Sequence, residues 1–123
     1  MKRDPVHVGH KYTIRCLELA DGSCPVGDFL DSLDKADKAK LSVLFTRLGD
    51  TGVISNREKF KKVEGSIFEF KSFKIRIFCF FHGKEVLLAD GIIKKTDKLR
   101  AADIERAENW RRWFVSQTGG SDV

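Results

Sequence analysis

The stretch from Ile67 to Thr96 constrains the fold most. It runs Ile67-Phe68-Glu69-Phe70-Lys71, then Lys74-Ile75-Arg76-Ile77-Phe78-Cys79-Phe80-Phe81, then Glu85-Val86-Leu87-Leu88-Ala89-Asp90-Gly91-Ile92-Ile93-Lys94-Lys95-Thr96. Consecutive apolar runs separated by short turn signals predict an antiparallel meander, with Phe81-His82-Gly83-Lys84 turning the chain between its second and third strands. The phenylalanines at 68, 70, 73, 78, 80 and 81 read as core. Any aromatic left exposed on the concave face is placed to stack on a nucleobase. Lys71, Arg76, Lys94 and Lys95 interrupt this apolar pattern. A cation among strand residues must face water or serve a ligand, because burying an unpaired charge is costly. A polyanion is the natural ligand.

Elements on either side of the meander complete an α+β chain. Lys11 to Ala20 alternates as a first strand, and Asp21-Gly22-Ser23 turns it. Pro25 suits the first turn of a short helix through Phe29, Leu30 and Leu33, capped by Ser23 or Cys24. A second helix from about Lys35 to Leu48 carries a stripe of Leu41, Leu44, Phe45 and Leu48, with Lys38 and Lys40 facing water; Gly49 and Gly52 end it. The two helices form a hairpin able to cover one side of the sheet. Asn56 to Glu64 reads as a basic connector, either a solvated loop anchored by Phe60 and Val63 or part of a rim that tracks phosphates. Ala101, Ile104, Ala107, Trp110, Trp113 and Phe114 recur at helical spacing and define a C-terminal amphipathic helix. The expected organisation is a disordered leader over residues 1–10, one domain over 11–115 and a flexible tail over 116–123.

The chain has 123 residues, enough for one core, and a formal net charge of +5. The excess is local. Residues 1–56 hold eight basic and eight acidic side chains, whereas residues 57–118 hold fifteen and nine. Such a domain fits nucleic acid, a ribosome surface or an acidic protein partner. The three cysteines, Cys16, Cys24 and Cys79, lack CxxC spacing and fit a reducing compartment; Cys16 and Cys79 read as small buried hydrophobes. With neither a signal peptide nor a membrane span in view, the cytoplasm is the expected location, without membrane partners. No residue pattern calls for a metal or another cofactor, and His7 and His10 read as incidental.

Strand parity decides which cations cooperate. Ile67, Glu69 and Lys71 share one face, and Phe68 and Phe70 the other. If Lys71 and Arg76 close the loop Ser72-Phe73-Lys74-Ile75, they lie opposite one another. Like charges so placed repel unless an anion sits between them, which argues for a phosphate site. The competing reading is that Glu69 neutralises Lys71 or Arg76.

The succession Ile67-Phe68-Glu69-Phe70-Lys71, Lys74-Ile75-Arg76-Ile77, Leu87 through Thr96, and Ile104-Glu105-Arg106-Ala107 resembles the RelE/ParE toxin superfamily, and within it the phage-derived HigB-like branch. That branch usually shows Leu-Tyr-Glu-Leu-Arg, a Tyr-Arg strand, and Leu-Leu-His-Gly-Phe ending in Lys-Lys-Thr. The similarity runs from about Lys11 to Trp110. It departs at Phe68 and Ile75, which replace tyrosines, at Lys71, which replaces an arginine, and at Asp90, which replaces a histidine.

The resemblance implies a RelE-like fold: a strand, a helical hairpin, a three-stranded antiparallel meander and a C-terminal helix. It also implies the toxin of a type II toxin–antitoxin system, an endoribonuclease that cuts mRNA on the ribosome and is silenced by a cognate antitoxin of helix-turn-helix type. Carried over by position, Arg76, Lys71 and Lys95 are the catalytic candidates. Lys94, Lys74, Lys62 and Lys98 are candidates for binding RNA phosphate. The chemistry is attack of a ribose 2′-hydroxyl on its own 3′-phosphate, which needs stabilised phosphorane charge and proton transfer. Arg76 suits the charge role through its planar fork, and a lysine crowded by cations becomes a candidate base. Glu69, Asp90 and His82 are further candidates for proton transfer. Two alternatives stay open: a non-enzymatic ParE-like gyrase inhibitor, and a catalytically degenerate homologue that binds antitoxin.

Overall fold

Six strands among the described residues form one sheet in the order β1-β2-β6-β5-β4-β3. The strands are β1 (His7–Val8), β2 (Thr13–Cys16), β3 (Phe60–Glu64), β4 (Ile67–Ser72), β5 (Ile75–His82) and β6 (Glu85–Ile93). Among the described residues three helices accompany them: α1 (Pro25–Ser32), α2 (Lys35–Thr51) and α3 (Ala101–Gln117). The computed structural model describes residues 3–95 and 101–118. The mixed α+β class and the order of the main elements follow the sequence expectation. Strands β3 to β6 pair antiparallel in succession, and β2 joins β6 in parallel.

Alternation splits each central strand between two apolar clusters. On one face, Phe70, Ile77, Cys79, Val86 and Leu88 pack against Leu41, Leu44, Phe45 and Leu48 of α2 and Val26 of α1. On the other, Ile67, Phe78, Phe80, Leu87 and Ala89 meet Ala107, Trp110, Trp113 and Phe114 of α3. The hairpin and α3 thus sandwich the sheet, as the apolar stripes on all three helices demand. No described helix is long and apolar enough to cross a membrane.

Four expectations need correction. The leader is structured over residues 3–10. Val6 N–H donates to Ile14 O at 2.8 Å, β1 pairs antiparallel with β2, and Arg3 and His7 reach Asp31 and Asp50 at 3.1 and 2.8 Å. Asp31 and Asp50 lie 28 and 43 residues further along the chain and leave no local signal. Gly49 does not end the second helix. The helix runs on to Thr51 and is capped by Gly52 at φ 79°, while the carbonyl of Gly49 accepts the N–H groups of Lys11 and Tyr12 at 2.8 and 2.9 Å. A Cβ on Gly49 would lie 2.7 Å from the His7 ring, so its missing side chain admits the N-terminal segment. Finally, the basic connector contains β3, an edge strand paired with β4 and irregular between Lys62 and Glu64. The expected tail begins inside α3, which continues to Gln117.

Two smaller differences concern boundaries. The first long strand covers Thr13–Cys16 rather than the whole of Lys11 to Ala20. Helix α1 is capped at Cys24 without a side-chain hydrogen bond. All three cysteines are buried. Burial pushes the Cys16 thiol up to about 12, with Cys24 adding to the rise, and raises that of Cys79 further.

Candidate functional site

Register places Lys71 directly opposite Arg76 and Glu69 opposite both Phe78 and Lys61. Facing residues of neighbouring strands hold their Cβ atoms about 5 Å apart. Lys61, Glu69, Lys71 and Arg76 therefore share the α3 side of the sheet, toward the end of β4 and the start of β5. Ile67, two residues before Glu69 on that face, is covered by α3.

Glu69 is the centre of this group. It is only 2% exposed, and its Oε2 accepts no hydrogen bond among the described residues. Burial raises its proton affinity above that of an ordinary glutamate. The charges of Arg76, Lys61, Lys71 and Lys94 oppose the rise without cancelling it. A carboxylate with an unsatisfied oxygen, hemmed in by cations and disposed to hold a proton, is a group able to exchange protons with an anionic ligand. Parity alone put Glu69 beside Lys71; its depth comes from the sheet and helix around it.

Arg76 is not displayed as the sequence led one to expect. It is 3% exposed, and its Nη1 donates to the carbonyls of Phe73 and Ile75 at 2.6 and 3.1 Å. The guanidinium braces the β4–β5 turn from beneath. Its charge still acts on Glu69, and is the largest of those that favour the ionised carboxylate. The turn is also tighter than the expected four-residue loop. Ser72 and Ile75 pair, leaving Phe73 and Lys74 as its two central residues.

The remaining candidates divide. Lys94 is buried, its N–H donates to Lys74 O at 2.7 Å, and its charge reaches Glu69; Lys95 follows it on the surface. Lys74 stands in the turn with its Nζ 5.6 Å from the Phe73 ring centre. Lys62 is not part of the group. It pairs with Phe68 and lies over that ring at 5.9 Å, on the hairpin side of the sheet. Lys98 lies outside the described residues.

Asp90 accepts from Arg106 Nε at 2.6 Å, and Arg106 also reaches Asp103 at 3.2 Å, so this carboxylate ties α3 to β6. His82 closes β5 against the Phe114 ring, 5.0 Å between centres. It sits six strand residues from Arg76, about 20 Å away. The structure therefore separates it from the cation group. Lys61, which the sequence reading passed over inside a supposed connector, joins that group instead. No period-two alternation marked it, because Phe60 and Val63 pack against opposite faces of the sheet.

A sheet flanked by a helical hairpin and a single helix, with a cation-ringed carboxylate beside the last helix, defines a small α+β protein suited to an anionic ligand. Residues 28–112 match the family described as Phage derived protein Gp49-like (DUF891), and the chain belongs to that family, which lies within the RelE/ParE-like toxin superfamily. The matched span runs from α1 into α3 and contains Glu69, Lys71, Arg76 and Lys94. Family membership points to a phage-derived toxin with an antitoxin partner. No curated protein matches the chain.

Proposed function

We propose that this protein is the toxin of a type II toxin–antitoxin system, with a RelE-like fold of the HigB-like kind, and that it cuts mRNA on the ribosome. The observation that carries the reading is Glu69: buried, unsatisfied at Oε2, raised in proton affinity and ringed by Lys61, Lys71 and Arg76. In this reading Glu69 takes the proton from the ribose 2′-hydroxyl as O2′ attacks the adjacent phosphorus. The P–O5′ bond breaks, and the ammonium of Lys71 supplies the proton that the departing 5′-oxygen needs. The products are a 2′,3′-cyclic phosphate and a 5′-hydroxyl. Lys61, Lys71 and Lys95 offset the phosphorane charge, while Arg76 contributes its field from below and fixes the turn. In this reading phosphate approaches between Lys61 and Lys71, both of which are partly exposed. Antitoxin, ribosome and mRNA are the partners, and the cytoplasm is the setting.

The test is a cell-free translation reaction with message ends mapped by primer extension, with and without ribosomes, comparing wild type with Glu69→Gln. General acid–base groups contribute about 10²- to 10⁴-fold. New ends that require ribosomes and fall by that factor in a folded Glu69→Gln variant are the expected result. Intact message with the wild-type protein overturns the reading. A supercoiling assay with gyrase and an antitoxin-binding measurement then separate the gyrase inhibitor from the degenerate homologue.

A further inference from the structure

Phe73 is out of place for a phenylalanine in this protein. It is 75% exposed, the most exposed of the large hydrophobic side chains among the described residues, while Phe70, Phe78 and Phe80 are buried. It also has φ 54°, the one positive value at a described residue other than glycine. As the first central residue of a two-residue hairpin turn, it occupies the position where such turns favour glycine. A bulky residue there carries backbone strain and no burial in return, a combination that points from geometry to function.

Two further observations say what the ring is for. The turn that presents it is fixed, because Arg76 Nη1 holds the Phe73 carbonyl at 2.6 Å and Lys74 O accepts from Lys94 N at 2.7 Å. Both anchoring residues act electrostatically on Glu69. The Lys74 ammonium lies near the ring at 5.6 Å from its centre, a cation–π arrangement that enriches the site in positive charge. An exposed aromatic ring on an anchored turn beside cations matches the recurrent design for single-stranded nucleic acid, with phosphate on the charges and a base on the ring.

We infer that Phe73 is a nucleobase-stacking residue that positions single-stranded RNA over the Glu69 site. The assignment rests on the RNA-cleavage reading above and extends it. Arg76 then links the two halves of the site: one guanidinium acts on Glu69 and holds the carbonyl of Phe73. The base belongs either to the message or to ribosomal RNA.

The test uses the same ribosome-containing cleavage reaction with Phe73→Trp, Phe73→Leu and Phe73→Asn. Asn tolerates a positive φ, so that variant relieves the backbone while removing the ring. Thermal unfolding checks that each variant folds. Loss of one base stack corresponds to roughly ten- to hundred-fold. The expected result is that Phe73→Trp cleaves like wild type while Phe73→Leu and Phe73→Asn lose about that factor. If the base is in the message, the nucleotide preference around the mapped ends flattens as well; if it is in ribosomal RNA, the pattern of ends persists at lower yield. Cleavage by wild type with Phe73→Leu or Phe73→Asn equally active overturns stacking and leaves the nuclease standing. No cleavage by wild type removes both.

Discussion

The two faces of the sheet are built to different rules. The hairpin face is closed by apolar contacts, with Phe70 wedged between Phe45 and Phe60 at ring-centre distances of 4.9 and 4.7 Å. The α3 face has a comparable apolar centre around Phe78 and Phe80, but beside it the sheet carries Lys61, Glu69, Lys71 and Arg76. A face covered by two helices can be apolar throughout. One covered by a single helix has room for ionisable groups, and those groups are retained at some cost in stability.

The contrast is easiest to break on the closed face. Phe70→Ala, which empties a fully buried site, should cost about 3–5 kcal/mol in urea denaturation, enough to unfold much of a marginally stable domain. On the open face the expected sign reverses. Because the folded state holds the Glu69 proton more tightly than the unfolded chain does, the contribution of Glu69 to wild-type stability is greatest in acid. It falls as pH rises from the ordinary glutamate range through the raised one. Glu69→Gln should therefore be more stable than wild type at neutral pH, with the advantage vanishing in acid, as thermal unfolding across pH would record. The smallest effect belongs to the seam between α3 and β6. Arg106 is 46% exposed, so solvent screens its pairs with Asp90 and Asp103, and Arg106→Ala should lose less than about 1 kcal/mol.

What the sequence revealed follows the same division. The meander, both hairpin helices, α3 and the pairing of Lys71 with Arg76 were legible, because each follows from a repeat of 2 or 3.6 residues or from a short turn. Burial depth was not. Parity assigns a face to Arg76, yet whether its guanidinium reaches solvent depends on turn carbonyls that only the folded hairpin gathers. Phe73 looked like one more core aromatic until the two-residue turn lifted it clear. β3 was hidden because its two lysines equal in number its two hydrophobes, Phe60 and Val63, which face opposite sides, and β1 by its dependence on Gly49 and Asp50 some forty residues away.

The flanks of the sheet bear on a hazard common to phenylalanine-rich strands. β4 and β5 would make an effective template for β-stacking between molecules, but both lie inside the sheet. At one margin stands β1, only two residues long; at the other stands β3, with adjacent lysines at 61 and 62 and a break in its pairing before Glu64. Neither margin offers an incoming strand a long, flat, uncharged ladder. Lys61, which the proposed function places at the phosphate, thus also discourages the protein from polymerising, so that under that proposal one charge has two uses.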